Sequence, residues 1–137
     1  MNTFGCMKIP EYIRTYEELF APLKSTPVSI LELGVLSGAS LLMWDDYFTN
    51  PRAEIIGLDM NPPVNLEFTN RVFQYQGMQD DVDLLEILKV KHGPFDIIID
   101  DASHRRAPTQ QSYFHLKDHL KPDGFYIIED WGTGYWA

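Results

Sequence analysis

The sequence predicts a parallel α/β sandwich, a sheet covered by helices on both faces. Three observations carry this. Five short runs are rich in β-branched residues, four segments between and before them place apolar residues at steps of three and four, and the two patterns alternate along the chain. Several of the short runs are apolar on both faces, as strands buried between two helical layers are. Right-handed crossovers follow from that order.

The elements are justified in turn. Residues 10–23 (PEYIRTYEELFAPL) put Tyr12, Ile13, Tyr16, Leu19, Phe20 and Leu23 along one helical face, with Pro10 in the first turn, where no N–H is needed. The first strand is expected at 28–34 (VSILELG). A helix over 38–48 follows, spaced by Leu41, Trp44 or Asp45, and Phe48. The second strand is 54–59 (EIIGLD), and the Pro/Asn-rich stretch 61–70 (NPPVNLEFTN) reads as a loop. The third strand is 72–77 (VFQYQG), followed by a helix over 80–91 carrying Leu84, Leu85 and Leu88. The fourth strand is 95–100 (FDIIID) and the last helix is 107–120, with Tyr113, Leu116 and Leu120. Pro122-Asp123-Gly124 is a stop and turn signal before the fifth strand, 124–130 (GFYIIED).

The chain's 137 residues suit one domain over 1–137, and area scaling lets about 68% of the unfolded surface be buried, so a core needs no staples. One cysteine, Cys6, excludes an internal disulfide and a multi-cysteine zinc site. The longest apolar runs are far shorter than a membrane span, and no basic-then-apolar leader opens the chain, so a cytoplasmic protein with no membrane partner is expected. Twenty acids against eleven bases give a net charge of −9, with no basic patch, which argues against a nucleic-acid partner.

In open α/β sheets, ligands sit beyond the carboxyl ends of the strands, where strand order reverses. The first strand ends in Glu32-Leu33-Gly34-Val35-Leu36-Ser37-Gly38. Two glycines frame a tight turn into a helix, but this is not the dinucleotide fingerprint, because Leu36 stands where that pattern has glycine. An acid just before the first glycine repels a pyrophosphate and suits an ammonium group; any α/β protein also has strand-helix turns of this kind. The second strand ends in Asp59, 25 residues after Gly34, an offset that suits an acid accepting from ribose hydroxyls, although a loop cap reads equally simply. Together these residues describe a pocket for an adenosine-like molecule with a cationic amino-acid tail, which S-adenosylmethionine fits better than NAD.

The fourth strand ends in Asp100-Asp101-Ala102-Ser103-His104 and the fifth in Glu129-Asp130. If the two are neighbours, their tips lie about 4.8 Å apart and Asp101 and Asp130 converge. Carboxylates that close need a shared proton or a cation, and all-oxygen ligands suit Mg²⁺ or another hard divalent ion. His104 is placed to act as a base there. Glu17 borders the buried face of the first helix, as a further ligand or simply as a solvated acid.

At these residues the sequence resembles the magnesium-dependent O-methyltransferases that act on sugars of macrolides and related antibiotics, the mycinamicin type, and their relatives known as cephalosporin hydroxylases. The motifs are TYEELFAPL, LELGVLSGASLLMW, IIGLDMNPP, FDIIIDDASH and LKPDGFYIIEDWGTGYW, over nearly the whole chain. The resemblance implies a Rossmann-like class I methyltransferase sandwich binding S-adenosylmethionine and a divalent metal. It implies Asp101, Asp130 and Glu17 as metal ligands and His104 as general base. Glu32, Gly34, Gly38 and Asp59 match its cofactor motifs, Gln79 in QGMQDD matches a position near the adenine, and Asp100 is assigned with them to the cofactor. Met78 departs from the acid often found in that segment. Such proteins continue past the fifth strand to a seven-stranded sheet. Here that strand is left as an edge, so either the chain is truncated or a partner, such as a second copy, covers it.

The expected reaction is methyl transfer to a hydroxyl of a small molecule, a sugar above all. A rival reading is a methyltransferase-like module that binds cofactor or a protein without turnover. A third, a dinucleotide oxidoreductase, is disfavoured by the missing phosphate-binding glycines.

Overall fold

The computed structural model describes residues 1–133. In chain order it comprises α1 (Pro10–Phe20), β1 (Ser29–Leu33), α2 (Ala39–Tyr47), β2 (Glu54–Asp59), β3 (Val72–Gln76), α3 (Val82–His92), β4 (Phe95–Asp100), α4 (Arg106–Leu116) and β5 (Leu120–Ile128). The five strands form one parallel sheet in the order β3-β2-β1-β4-β5. Strand order therefore reverses between β1 and β4, where a ligand crevice is expected.

Side-chain alternation sorts the strands onto two helical layers. Ile30, Ile55, Ile97, Ile99, Phe125 and Ile127 pack with Tyr16 and Phe20 of α1 and with Leu41, Met43 and Trp44 of α2. Leu31, Leu33, Ile56, Leu58 and Ile98 pack with Leu85 and Leu88 of α3 and with Leu116 of α4. The result is the three-layer sandwich the periodicity predicts. No helix among the described residues is long and apolar enough to cross a membrane.

Three boundaries differ from expectation, each for a local reason. The first helix stops at Phe20, because Pro22 has no N–H to continue it; a 3₁₀ turn, Ala21–Leu23, follows. The last helix likewise gives way to a 3₁₀ turn, Lys117–His119. Pro122-Asp123-Gly124 does not precede β5 but lies inside it. Pairing jumps from Phe95–Leu120 to Ile97–Phe125, so the turn residues form an irregularity at the strand's start.

An aromatic cluster seats α1. Phe20 is fully buried, with its ring centroid 5.2 Å from Tyr16, 5.9 Å from Trp44 and 5.7 Å from Phe125. Phe20→Ala should therefore destabilise the fold by about 3–5 kcal/mol. Urea unfolding monitored by circular dichroism checks this; a loss under about 1 kcal/mol would mean that α1 is not part of the cooperative core.

Candidate active site

Hydrogen bonding between the strand tips continues past the regular ladder. Gly34 N–H donates to Leu58 O at 2.7 Å, Asp101 N–H to Leu33 O at 2.9 Å, and Glu129 N–H to Asp100 O at 2.9 Å. Residues 34, 101 and 129 are thus held side by side at the carboxyl edge. Alternation then decides which side chains share a face. Glu32 follows Ile30, Asp101 follows Ile97 and Ile99, and Glu129 follows Phe125 and Ile127, all on the α1/α2 side.

Two hollows open at this edge. One, of about 380 Å³, is lined by Lys8, Tyr12, Asp101, His104, Glu129 and Asp130 among others. The other, of about 200 Å³, is lined by Asp59, Met60, Met78, Gln79, Ser103 and Pro108 among others. Gly34, Leu36, Asp101 and Ala102 belong to both walls. The first volume falls in the range of small-ligand pockets.

Backbone strain concentrates here. Leu36, His104 and Asp130 have φ of +47°, +55° and +51°, and all three line the larger hollow. A left-handed non-glycine residue costs of order 1–3 kcal/mol and persists where the surroundings impose it, typically at functional sites.

Asp101, His104 and Asp130 bring ligand-capable atoms within 4.8 Å of one another. His104 Nε2 is 3.9 Å from Asp101 Oδ1, and the Tyr12 hydroxyl donates to Asp130 Oδ1 at 3.1 Å. A second trio, Glu32, Asp101 and Glu129, meets the same criterion deeper in the fold. There Glu32 and Glu129 are buried, and the Lys8 ammonium lies among the three carboxylates. Burial works against the charged Lys8 ammonium, but Glu32, Glu129 and Asp101 outweigh it and hold its pKa above the ordinary lysine value. Burial also pushes the Glu129 carboxyl up, partly offset by Lys8 and by the Tyr16 hydroxyl, which donates to it at 2.5 Å.

Glu17 does not join either group. Its carboxylate pairs with the Met1 amino terminus. On α1 it is Tyr16, one residue earlier, that turns inward and reaches the strand tips. Besides Asp130, the acid that stands beside Asp101 is Glu129, which is not among the residues the sequence points to.

The cofactor candidates occupy distinct places. Glu32 accepts from Trp44 Nε1 at 3.2 Å. Asp59 lines the smaller hollow, but its Oδ2 accepts from the N–H groups of Val35 and Leu36, at 2.9 and 3.0 Å, and its Oδ1 from that of Asn61, at 2.8 Å. It caps the glycine turn and retains lone pairs for a further donor. Gly38, left-handed at φ +81°, opens α2 beneath Pro63 and Leu66. Gln79 lines the smaller hollow, where its Oε1 accepts from Ser103 N–H at 2.8 Å. Asp100 is not on the wall of either hollow. It follows Ile98 onto the opposite face of the sheet, where Gln79 Nε2 and Ser112 Oγ each donate to it at 3.0 Å. Burial raises its pKa, and those donors offset part of the rise. It holds Gln79 in place from behind.

Sheet order, the glycine turn and the acid-lined crevice define a Rossmann-like methyltransferase fold with five parallel strands. A family described as "Methyltransferase domain" matches residues 31–131, and the chain belongs to that family. It is 41% identical over 127 residues to a rhamnosyl-tetracenomycin-C 3'-O-methyltransferase of Streptomyces olivaceus, covering 88% of this chain and 32% of that protein. It is 38% identical over 128 residues to the mycinamicin VI 2''-O-methyltransferase of Micromonospora griseorubida, covering 88% of this chain and 31% of that protein. The structure of MycE methyltransferase in complex with Mg, SAH and mycinamycin VI superposes with a TM-score of 0.84 at 35% identity, over 98% of this chain and 37% of that one. The chain is thus related to the mycinamicin-type sugar O-methyltransferases, and it spans about a third of the length of the curated relatives it matches. Gly134, Tyr135 and Trp136, which end the last sequence motif, lie outside the described residues.

Proposed function

We propose that residues 1–137 form one unit that binds S-adenosylmethionine and a divalent ion and transfers the methyl group to a sugar hydroxyl. The observation that carries this is the convergence of Asp101, His104 and Asp130 on a hollow that shares its wall with a second, nucleoside-sized one.

The donor set fits both groups. Asp101 and Asp130 offer carboxylate oxygens to a hard ion, and Glu129, whose Oε1 is taken by Lys8 and Tyr16, has its other oxygen at hand in place of Glu17. Glu32, Gly34 and Gly38 frame the turn for the cofactor's amino-acid end, while Asp59 and Gln79 face its ribose and adenine. A bound divalent ion supplies a Lewis acid that makes a nearby hydroxyl more acidic. His104 Nε2, at the open rim of the acidic group, takes the hydroxyl proton as the oxygen attacks the methyl carbon and the carbon–sulfur bond breaks. Tyr12 fixes Asp130 by its hydrogen bond, and Gln79, braced by Asp100, fixes the adenine side. Most of the remaining acceleration comes from lining up oxygen, carbon and sulfur. The sugar acceptor is inferred from the related O-methyltransferases.

Calorimetry with S-adenosylmethionine, S-adenosylhomocysteine and NADH, each with Mg²⁺ and with EDTA, tests the reading. The first two should bind and NADH should not. Tight NADH binding would overturn it in favour of a dinucleotide enzyme, and cofactor binding with neither Mg²⁺ binding nor turnover would leave a binding module.

A further inference from the structure

The N-terminal segment sends one side chain into the acidic centre. The Lys8 side chain is 3% exposed, and its Nζ lies 2.9 Å from Glu32 Oε1, 2.8 Å from Asp101 Oδ2 and 2.6 Å from Glu129 Oε1. Those three oxygens come from the tips of β1, β4 and β5, on one face of the sheet. Three carboxylates within 4.8 Å of one another, two of them buried and Asp101 half-buried, repel unless a cation sits among them. The fold supplies that cation from its own chain.

The geometry divides the acids into two faces. Asp101 turns Oδ2 inward to Lys8 and Oδ1 outward, 3.9 Å from His104 Nε2. Asp130 belongs to the outward group. On the inward side Glu32 is 1% exposed, and its Oε1 meets Lys8 by charge and distance without hydrogen-bond alignment. It is a buried oxygen aimed at a cation and only partly satisfied by the one present.

We infer that Lys8 is a positioning residue, the resident cation of this acidic row: it closes the inner face to a divalent ion and leaves the outer face, with Asp101 Oδ1 and Asp130, as the place where one binds. The location of the outer ion rests on the proposed metal-assisted function; the role of Lys8 on the inner face does not. Four carboxylates (Glu32, Asp101, Glu129, Asp130) against one ammonium leave three negative charges. One divalent ion and a singly cationic S-adenosylmethionine neutralise them. Without Lys8 the balance would favour a second or more tightly held ion.

The test is Mn²⁺ binding to the whole chain, followed by calorimetry and electron paramagnetic resonance without cofactor. Lys8→Met should bind Mn²⁺ roughly tenfold or more tightly than the wild type, or take up an additional ion, because one positive charge has left a low-dielectric row of acids. Adding Glu32→Gln to Lys8→Met should abolish the gain, since the inner face has then lost a ligand. A gain that survives Glu32→Gln, or no gain at all, overturns the inference. Thermal unfolding is read alongside, because Lys8→Met leaves buried acids without a cation. Mn²⁺ should raise the midpoint of Lys8→Met and of Lys8→Gln more than that of the wild type, even from a variant that starts unfolded in EDTA. Variants that stay unfolded in Mn²⁺ show Lys8 to be a structural strap alone and overturn the inference. Mn²⁺ binding by Lys8→Met but not by the wild type would sink the metal-assisted function and keep the Lys8 assignment. Equal binding by both does the reverse, and binding by neither sinks both.

Discussion

If the proposed methyl transfer to a sugar hydroxyl holds, replacing His104 by asparagine should lower it by roughly 10²–10⁴-fold, the usual worth of a general base, while affinity for S-adenosylhomocysteine stays where it is. Asparagine is the informative substitution. His104 sits at φ +55°, and asparagine tolerates that region while offering no group that takes up a proton near neutral pH. Alanine at the same position adds backbone strain to the loss of the base, so comparing the two variants separates conformation from chemistry. His104 lies on the rim of the larger hollow, whereas the smaller hollow is walled by Ser103, Pro108 and Gln79. Cofactor affinity is therefore the control. If His104→Asn turns over like the wild type, His104 is not the base. If it loses S-adenosylhomocysteine as well, His104 holds the Asp101–Pro108 segment in shape instead.

What could be read from the residues, and what could not, follows from how far each feature depends on contacts distant in sequence. The strands were legible because a covered parallel strand is apolar on both faces, and runs such as FDIIID have few other uses. The turn signal at Pro122-Asp123-Gly124 misled for a physical reason. Gly124 lies where a Cβ would come 2.8 Å from Asp96 O, so the residues that resemble a loop are absorbed into the start of β5 as an irregularity.

The site was legible to the same degree. Alternation along a strand places Glu32, Asp101 and Glu129 on one face and Asp100 on the other, and that parity is present in the sequence: Ile30 before Glu32, Ile99 before Asp101, Ile127 before Glu129, Ile98 before Asp100. Counting parity forward from Phe125 brings Glu129 to the centre, and counting from Ile98 moves Asp100 behind the wall. It could not have placed Glu17, because helical periodicity fixes a side chain only to within a broad arc. Lys8 was invisible for a related reason. Nothing in GCMKIP marks a lysine that crosses to the tips of three strands, and its contacts span up to 121 residues.

Gly34→Ala should be the most disruptive single-methyl change in the chain's centre. A Cβ at Gly34 would lie 2.4 Å from Asp101 O, 2.6 Å from Ala102 Cα and 2.8 Å from Asp101 C, all of them backbone or Cα atoms that no rotamer change can move. The φ of +82° adds about 1–2 kcal/mol for any residue with a Cβ. Relief requires β1 and β4 to part at their tips, where Asp101 N–H donates to Leu33 O at 2.9 Å. That movement would pull Asp101 away from Lys8, from His104 and from the wall shared by the two hollows. The expected result is a stability loss above about 3 kcal/mol, with S-adenosylhomocysteine and Mn²⁺ binding lost together. Gly5→Ala provides the comparison. Its φ is +78°, nearly the same, but nothing lies within 4 Å of the added methyl. It should show only the conformational cost, about 1–2 kcal/mol, and leave ligand binding alone. Equal destabilisation by the two variants in urea melts would mean that backbone angle alone matters at position 34. The close approach of the two strand tips would then not be what keeps the crevice in shape.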